Sequence, residues 1–103
     1  MKSKPHRQDK VEDVLKKIHE AIQHGRYRDT RHSMQRGIER GIQLPDILEA
    51  IGTGYHEKRK DEYREDFGNW NYAIRGKTCD GEELRVAIYF EEDRVVIVTV
   101  IRL

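Results

Sequence analysis

Three stretches near the end of the chain leave little freedom in what it can fold into: residues 69–78 (NWNYAIRGKT), 82–90 (EELRVAIYF) and 94–103 (RVVIVTVIRL). Each is rich in aromatic and β-branched residues and alternates in character, and the short breaks between them, CDG and EED, read as turns of an antiparallel meander. The first turn fixes the register. A two-residue loop at Asp80 and Gly81 would put Arg75 and Lys77 on the same face as Leu84 and Val86, mixing charge into the core. A three-residue loop, 79–81, with Gly81 left-handed sets Thr78 opposite Glu82 and sorts the pattern. Trp70, Tyr72, Ile74, Leu84, Val86, Ile88 and Phe90 then share one face, and Asn71, Arg75, Lys77, Glu83, Arg85 and Tyr89 the other. In this register Arg75 lies opposite Arg85, which costs stability unless an anion or an acidic group sits between them.

The last stretch is apolar on both sides. Strict alternation gives Val95, Ile97, Thr99 and Ile101 to one face and Val96, Val98, Val100 and Arg102 to the other. Helices packed on one face, with a shallow, basic-rimmed apolar surface on the second, satisfy this pattern best.

Upstream, Val11, Val14, Leu15, Ile18, Ala21 and Ile22 recur at helical spacing, and Gly25 is placed to end that helix. Asp29 or Thr30 can cap a second helix running to about Arg40, with Met34 and Ile38 as apolar contacts. Gly37 inside it costs up to ~1 kcal/mol relative to alanine and implies close approach of another element. A third, short helix is expected in LPDILEAIG, with Pro45 in its first turn and Leu44, Ile47, Leu48 and Ile51 facing inward. The charged segment 55–69, YHEKRKDEYREDFGN, reads as an edge strand plus loop or as a mobile flap. The expected architecture is therefore α+β: a flexible tail over residues 1–8, then a single domain over 9–103. Two or three N-terminal helices pack on one face of a three- to four-stranded antiparallel sheet.

Composition narrows the function classes. Lys and Arg number 20 against 19 Asp and Glu, for a net charge of +1. Residues 1–40 nevertheless carry net positive charge and residues 41–103 net negative charge, so one end can steer an anionic ligand such as RNA, or an acidic partner. A single cysteine, Cys79, excludes an intrachain disulfide and suits a reducing compartment. The five histidines lack zinc-binding spacing, so no metal and no other cofactor is expected. No apolar run approaches 20 residues, which argues against membrane insertion, and the opening MKSKPHRQDK lacks a signal-peptide core; the expected address is the cytoplasm.

Two segments together, RHSMQRGIERGIQLPDILEAIGTG and the meander from NWNYAIRGKT to VIRL, resemble the bacterial domain of unknown function family 4258. Its pattern is a His, then Arg-x-x-x-Arg-Gly-Ile on a helix, a short helix ending in Gly, and an antiparallel sheet. That family is similar to the RelE-like fold of the RelE, BrnT and MqsR toxins. The resemblance implies a toxin-like domain that cleaves or binds RNA, with mRNA, alone or on the ribosome, as substrate and a cognate antitoxin as partner. It carries over His32, Arg36 and Arg40 as the helix motif. The chain lacks the basic C-terminal tail of many such toxins and ends in VIRL.

Cleaving RNA without a metal needs a base for the ribose 2′-hydroxyl, an acid for the leaving oxygen and cations around the phosphorane. His32 is the titratable candidate, with an unperturbed pKa near ~6.5. Arg75 and Arg85 complete the candidate catalytic set through bidentate contacts to phosphate. Arg36, Arg40, Lys77 and Tyr89 are the candidate RNA-binding residues. Against this, Arg75 and Arg85 can pair with Glu83 or with acids of the 57–66 segment, and His32 can serve only to bond the sheet. The competing class is a non-catalytic interaction module that binds a partner strand, or a second copy as a homodimer, through the Val96, Val98, Val100 row.

Overall fold

The computed structural model describes residues 9–31 and 41–103. Two helices, α1 (Val14–Gln23) and α2 (Leu44–Thr53), pack on a six-stranded mixed sheet that is mostly antiparallel. The strands are β1 (Tyr27–Asp29), β2 (Tyr55–His56), β3 (Glu62–Arg64), β4 (Asn69–Lys77), β5 (Glu83–Glu91) and β6 (Arg94–Arg102), in the order β1-β6-β5-β4-β2 with β3 also on β4. The expected tail over residues 1–8 and nearly all of the expected second helix, residues 32–40, lie outside the described residues.

The apolar stripe of α1 forms as its spacing requires. Val14, Ile18 and Ala21 are buried, Val11, Leu15 and Ile22 pack around them, and Gly25 ends the helix at φ 73°. α2 begins with Pro45 in its first turn, and the Asp46 carboxylate accepts the Gln43 N–H at 3.0 Å. The His19 ring nitrogen lies 3.0 Å from the Ile51 carbonyl, joining the two helices. The end of α2 comes unusually close to the sheet: a Cβ at Gly76 would stand 1.8 Å from the Ala50 carbonyl oxygen, so this position requires glycine.

The meander follows the charge-sorting register. Arg75 pairs with Arg85 and Lys77 with Glu83, the Thr78 N–H donates to the Glu82 carbonyl at 2.9 Å, and Gly81 is left-handed at φ 82°. Tyr72, Ile74, Leu84, Val86 and Ile88 are fully or almost fully buried beneath the helices.

Three expectations need correction. The sheet has six strands rather than three or four, because short segments join both edges. β1 pairs in parallel with β6, Tyr27 opposite Val95, so the sheet is not purely antiparallel. Residues 55–64, left open between strand and flap, become β2 and β3, linked by a 3-10 turn over Lys58–Lys60. The third correction concerns β6. Ile97 pairs with Ile88 but Thr99 pairs with Ala87, so Val98 is the extra residue of a β-bulge and alternation is reset there. Val100 consequently lies opposite Val86 on the helix face, while Val96 lies opposite Tyr89 on the second face; both are fully buried. The expected Val96, Val98, Val100 row is not a surface.

Candidate functional site

On the face of the sheet away from the helices, β3, β4, β5 and the bulge of β6 enclose a shallow cleft of about 220 Å³. Ala73, Ala87, Val98 and Thr99 form its floor, and Lys60, Glu62, Arg64 and Arg85 its rim, with Asn71 opening onto it. Small side chains on β4 and β5 create the depression. The bulge enlarges it by presenting two consecutive residues, Val98 and Thr99, against Ala87.

Beside this cleft sits Glu57, 4% exposed and held by the arginines the register had brought together. Its N–H donates to the Ala73 carbonyl at 2.8 Å, which extends the β2 pairing by one residue and turns the carboxylate toward Arg75 and Arg85. Arg85 donates from Nε to Oε1 at 2.7 Å and from Nη2 to Oε2 at 3.2 Å, and Arg75 adds Nη1 to Oε2 at 3.4 Å. Arg75 spends its other nitrogens on Glu83, at 2.9 and 3.1 Å. The acidic group that the like-charge pairing called for is therefore part of the chain. The Arg85 hydrogen bond is the main cause that holds the Glu57 carboxyl below its ordinary range, outweighing burial, which acts the other way.

The two arginines differ in what remains. All three nitrogens of Arg75 are committed, whereas Arg85 Nη1 makes no hydrogen bond among the described residues and Arg85 lines the cleft. Lys60 is exposed and has no ion pair among the described residues. Arg64 bonds Asp66 at 3.1 Å, a partly exposed pair of small worth, and lies over the Phe67 ring. The cleft thus offers three cations, one acidic rim residue and an apolar floor.

Of the residues singled out from sequence, Arg85 lines the cleft and Arg75 borders it through Glu57. Lys77, opposite Glu83, and Tyr89, stacked on Phe67 with ring centroids 6.4 Å apart, do not line it. His32, Arg36 and Arg40 lie outside the described residues. Sequence reasoning did not single out Glu57, Lys60, Arg64 or Asn71 as site residues. Two signals for them existed: the basic knot at 58–60, and the placement of Asn71 on the charged face.

A second cluster of polar groups lies on the helix side of the same sheet edge. The fully buried Asp61 carboxylate accepts from the Ala73 N–H at 2.9 Å and Lys10 at 2.9 Å, and lies 2.8 Å from His56. The Tyr72 hydroxyl accepts the Val11 N–H at 2.9 Å, and burial is the main cause that raises its pKa. These bonds are spent within the chain: they tie residues 10–11 to β4 and restore the ladder where the 3-10 turn leaves it. Among the described residues no three His, Cys, Asp or Glu side chains gather as a metal site.

The model of the domain of unknown function DUF4258 matches residues 30–102, most of the chain. This protein belongs to the DUF4258 family. The matched span contains α2, strands β2 to β6 and every residue of the cleft. No curated protein and no solved structure matches it.

Proposed function

We propose that this DUF4258 chain is a toxin-like domain that acts on RNA, with the second-face cleft as the place where the strand lies. The reading rests chiefly on one observation: Lys60, Arg64 and the Arg85 Nη1, which makes no hydrogen bond among the described residues, surround an apolar floor on the sheet face opposite the helices. Cations at a rim suit a phosphate backbone, and a flat apolar floor suits unpaired bases; RNA is read chiefly through such splayed bases. Cleavage, in this reading, is metal-independent, with His32 transferring the proton and Arg85 stabilising the phosphorane. The described chain leaves β1 at Thr30, whose N–H and Oγ1 both donate to the Ile97 carbonyl, next to Val98 of the cleft floor; His32 follows two residues later. Glu57 holds Arg85 in place, and Arg75 supports Glu57 rather than touching the substrate. A cognate antitoxin would act by covering this cleft.

The test is single-stranded RNA binding and cleavage in the presence of a chelator, for the wild type and for Lys60→Ala combined with Arg85→Ala. Each charge-assisted contact is worth roughly 1.5–3 kcal/mol, and ~1.4 kcal/mol is a tenfold change in affinity. The double variant should therefore bind about 100-fold more weakly and cleave no RNA. A wild-type protein that neither binds nor cleaves RNA ends the proposal.

A further inference from the structure

Asn71 is 9% exposed, and its side-chain amide makes no hydrogen bond among the described residues. No buried side-chain nitrogen or oxygen of the described residues lacks a hydrogen-bond partner, so the polar atoms of the Asn71 amide are the part of this residue that opens into the cleft, where they can bond a ligand that enters. It stands near the start of β4, opposite Glu62 on the neighbouring strand, and lines the cleft beside its apolar floor. The cleft volume, about 220 Å³, is below the ~300 Å³ lower bound of drug-sized pockets. It suits one planar ring system and excludes a paired helix.

We propose that this cleft is a subsite for a single unpaired nucleobase, and that Asn71 selects a base carrying an exocyclic amino group beside a ring acceptor nitrogen, adenine or cytosine, over uracil. The inference rests on the RNA reading above and adds the identity of the base.

The selection follows from the donors and acceptors present. The amide of Asn71 offers one carbonyl oxygen and one NH₂ group, which can face an amino donor and a ring acceptor nitrogen at the same time, as asparagine does on adenine. An exocyclic amino group has two hydrogens. Asn71 accepts one, and the Glu62 carboxylate at the rim is an acceptor for the other. Uracil presents carbonyl oxygens in place of the amino group, so one would meet the Glu62 carboxylate with no hydrogen between them, leaving both unpaired. The same carboxylate disfavours a bare, multiply charged phosphate in the floor of the cleft. The neutral ring therefore enters, its faces against Ala73, Ala87, Val98 and Thr99, and the phosphates stay with Lys60, Arg64 and Arg85 at the rim. A site built to hydrogen-bond a polar edge discriminates well, because the wrong ligand leaves buried groups unpaired.

Fluorescence anisotropy with labelled oligo(rA), oligo(rC) and oligo(rU) of equal length tests this on the whole chain. The wild type should bind oligo(rA) and oligo(rC) at least tenfold more tightly than oligo(rU). Asn71→Ser, a small polar replacement that keeps the strand, and Asn71→Asp, which removes the donor, should bring the three to within about twofold while thermal melting shows the fold retained. Equal binding of the three oligomers by the wild type, or an unchanged preference in a folded Asn71 variant, overturns the base assignment while leaving RNA binding intact. Absence of binding to all three overturns the RNA reading, and this inference with it.

Discussion

Glu57 carries the most consequence of any single residue. Arg75 and Arg85 face one another across β4 and β5, an arrangement that like-charge repulsion opposes, and this one buried carboxylate reconciles them. Removing it leaves two guanidiniums, each about a quarter exposed, without their shared partner. Glu57→Ala should lower unfolding stability by about 1.5–3 kcal/mol, read from urea denaturation. The pH dependence has a definite sign. Because the folded carboxyl titrates below its unfolded value, its contribution is fully present above the ordinary carboxylate range of ~4.3 and is lost as pH falls through the folded value. The stability gap between wild type and Glu57→Gln should therefore hold from pH 7 to about 5 and narrow below about 4. A gap that stays constant down to pH 3 would show that the charge of Glu57 is not what holds the arginines. That an acid would meet Arg75 and Arg85 was open to sequence reasoning. Which acid it would be was not, because it depends on Glu57 joining the β4 edge by a single backbone bond.

At the scale of elements, the meander was legible and its edges were not. Charge sorting picks the three-residue loop because the alternative register buries Arg75 and Lys77, and that penalty can be read directly from the residues. The bulge at Val98 has no such marker: Val96, Val98 and Val100 are all apolar, so a one-residue reset leaves the pattern unchanged to the eye. β1 was hidden for a related reason, since Tyr27–Asp29 is short and charged and joins the sheet through main-chain bonds to β6. Much of the cleft depends on the element the alternation misread, which is why its floor could not be drawn from sequence alone. Gly76 belongs to this scale as well. Its position lets the last turn of α2 rest on the β4 backbone, with the Thr53 hydroxyl donating to the Lys77 carbonyl at 3.1 Å. Gly76→Ala should destabilise by about 1–3 kcal/mol or prevent folding, because backbone, not a flexible side chain, occupies the space. Thermal melting reads this, and a melting temperature within a degree or two of wild type would mean that the helix can withdraw freely.

For the whole molecule, the two faces of one sheet are put to different uses. The helix side buries an apolar core and ties residues 10–11 to β4 through Asp61, His56 and Tyr72, spending its polar groups internally. The other side, among the described residues, keeps polar capacity in hand: a lysine without an ion pair, and one guanidinium nitrogen of Arg85 and the amide of Asn71 without a hydrogen bond. A near-neutral chain with such a face is suited to local, modest-affinity contact with a strand rather than to broad electrostatic capture. The most direct test is nuclear magnetic resonance of the isotope-labelled chain titrated with a short single-stranded RNA containing all four bases. The backbone amides of Lys60, Arg64, Asn71, Arg85, Val98 and Thr99 should shift together along one binding curve, with the Asn71 side-chain NH₂ moving most. Shifts gathered instead around residues 10–15 and His56 on the helix side, or no shifts at all, would contradict the assignment of this cleft.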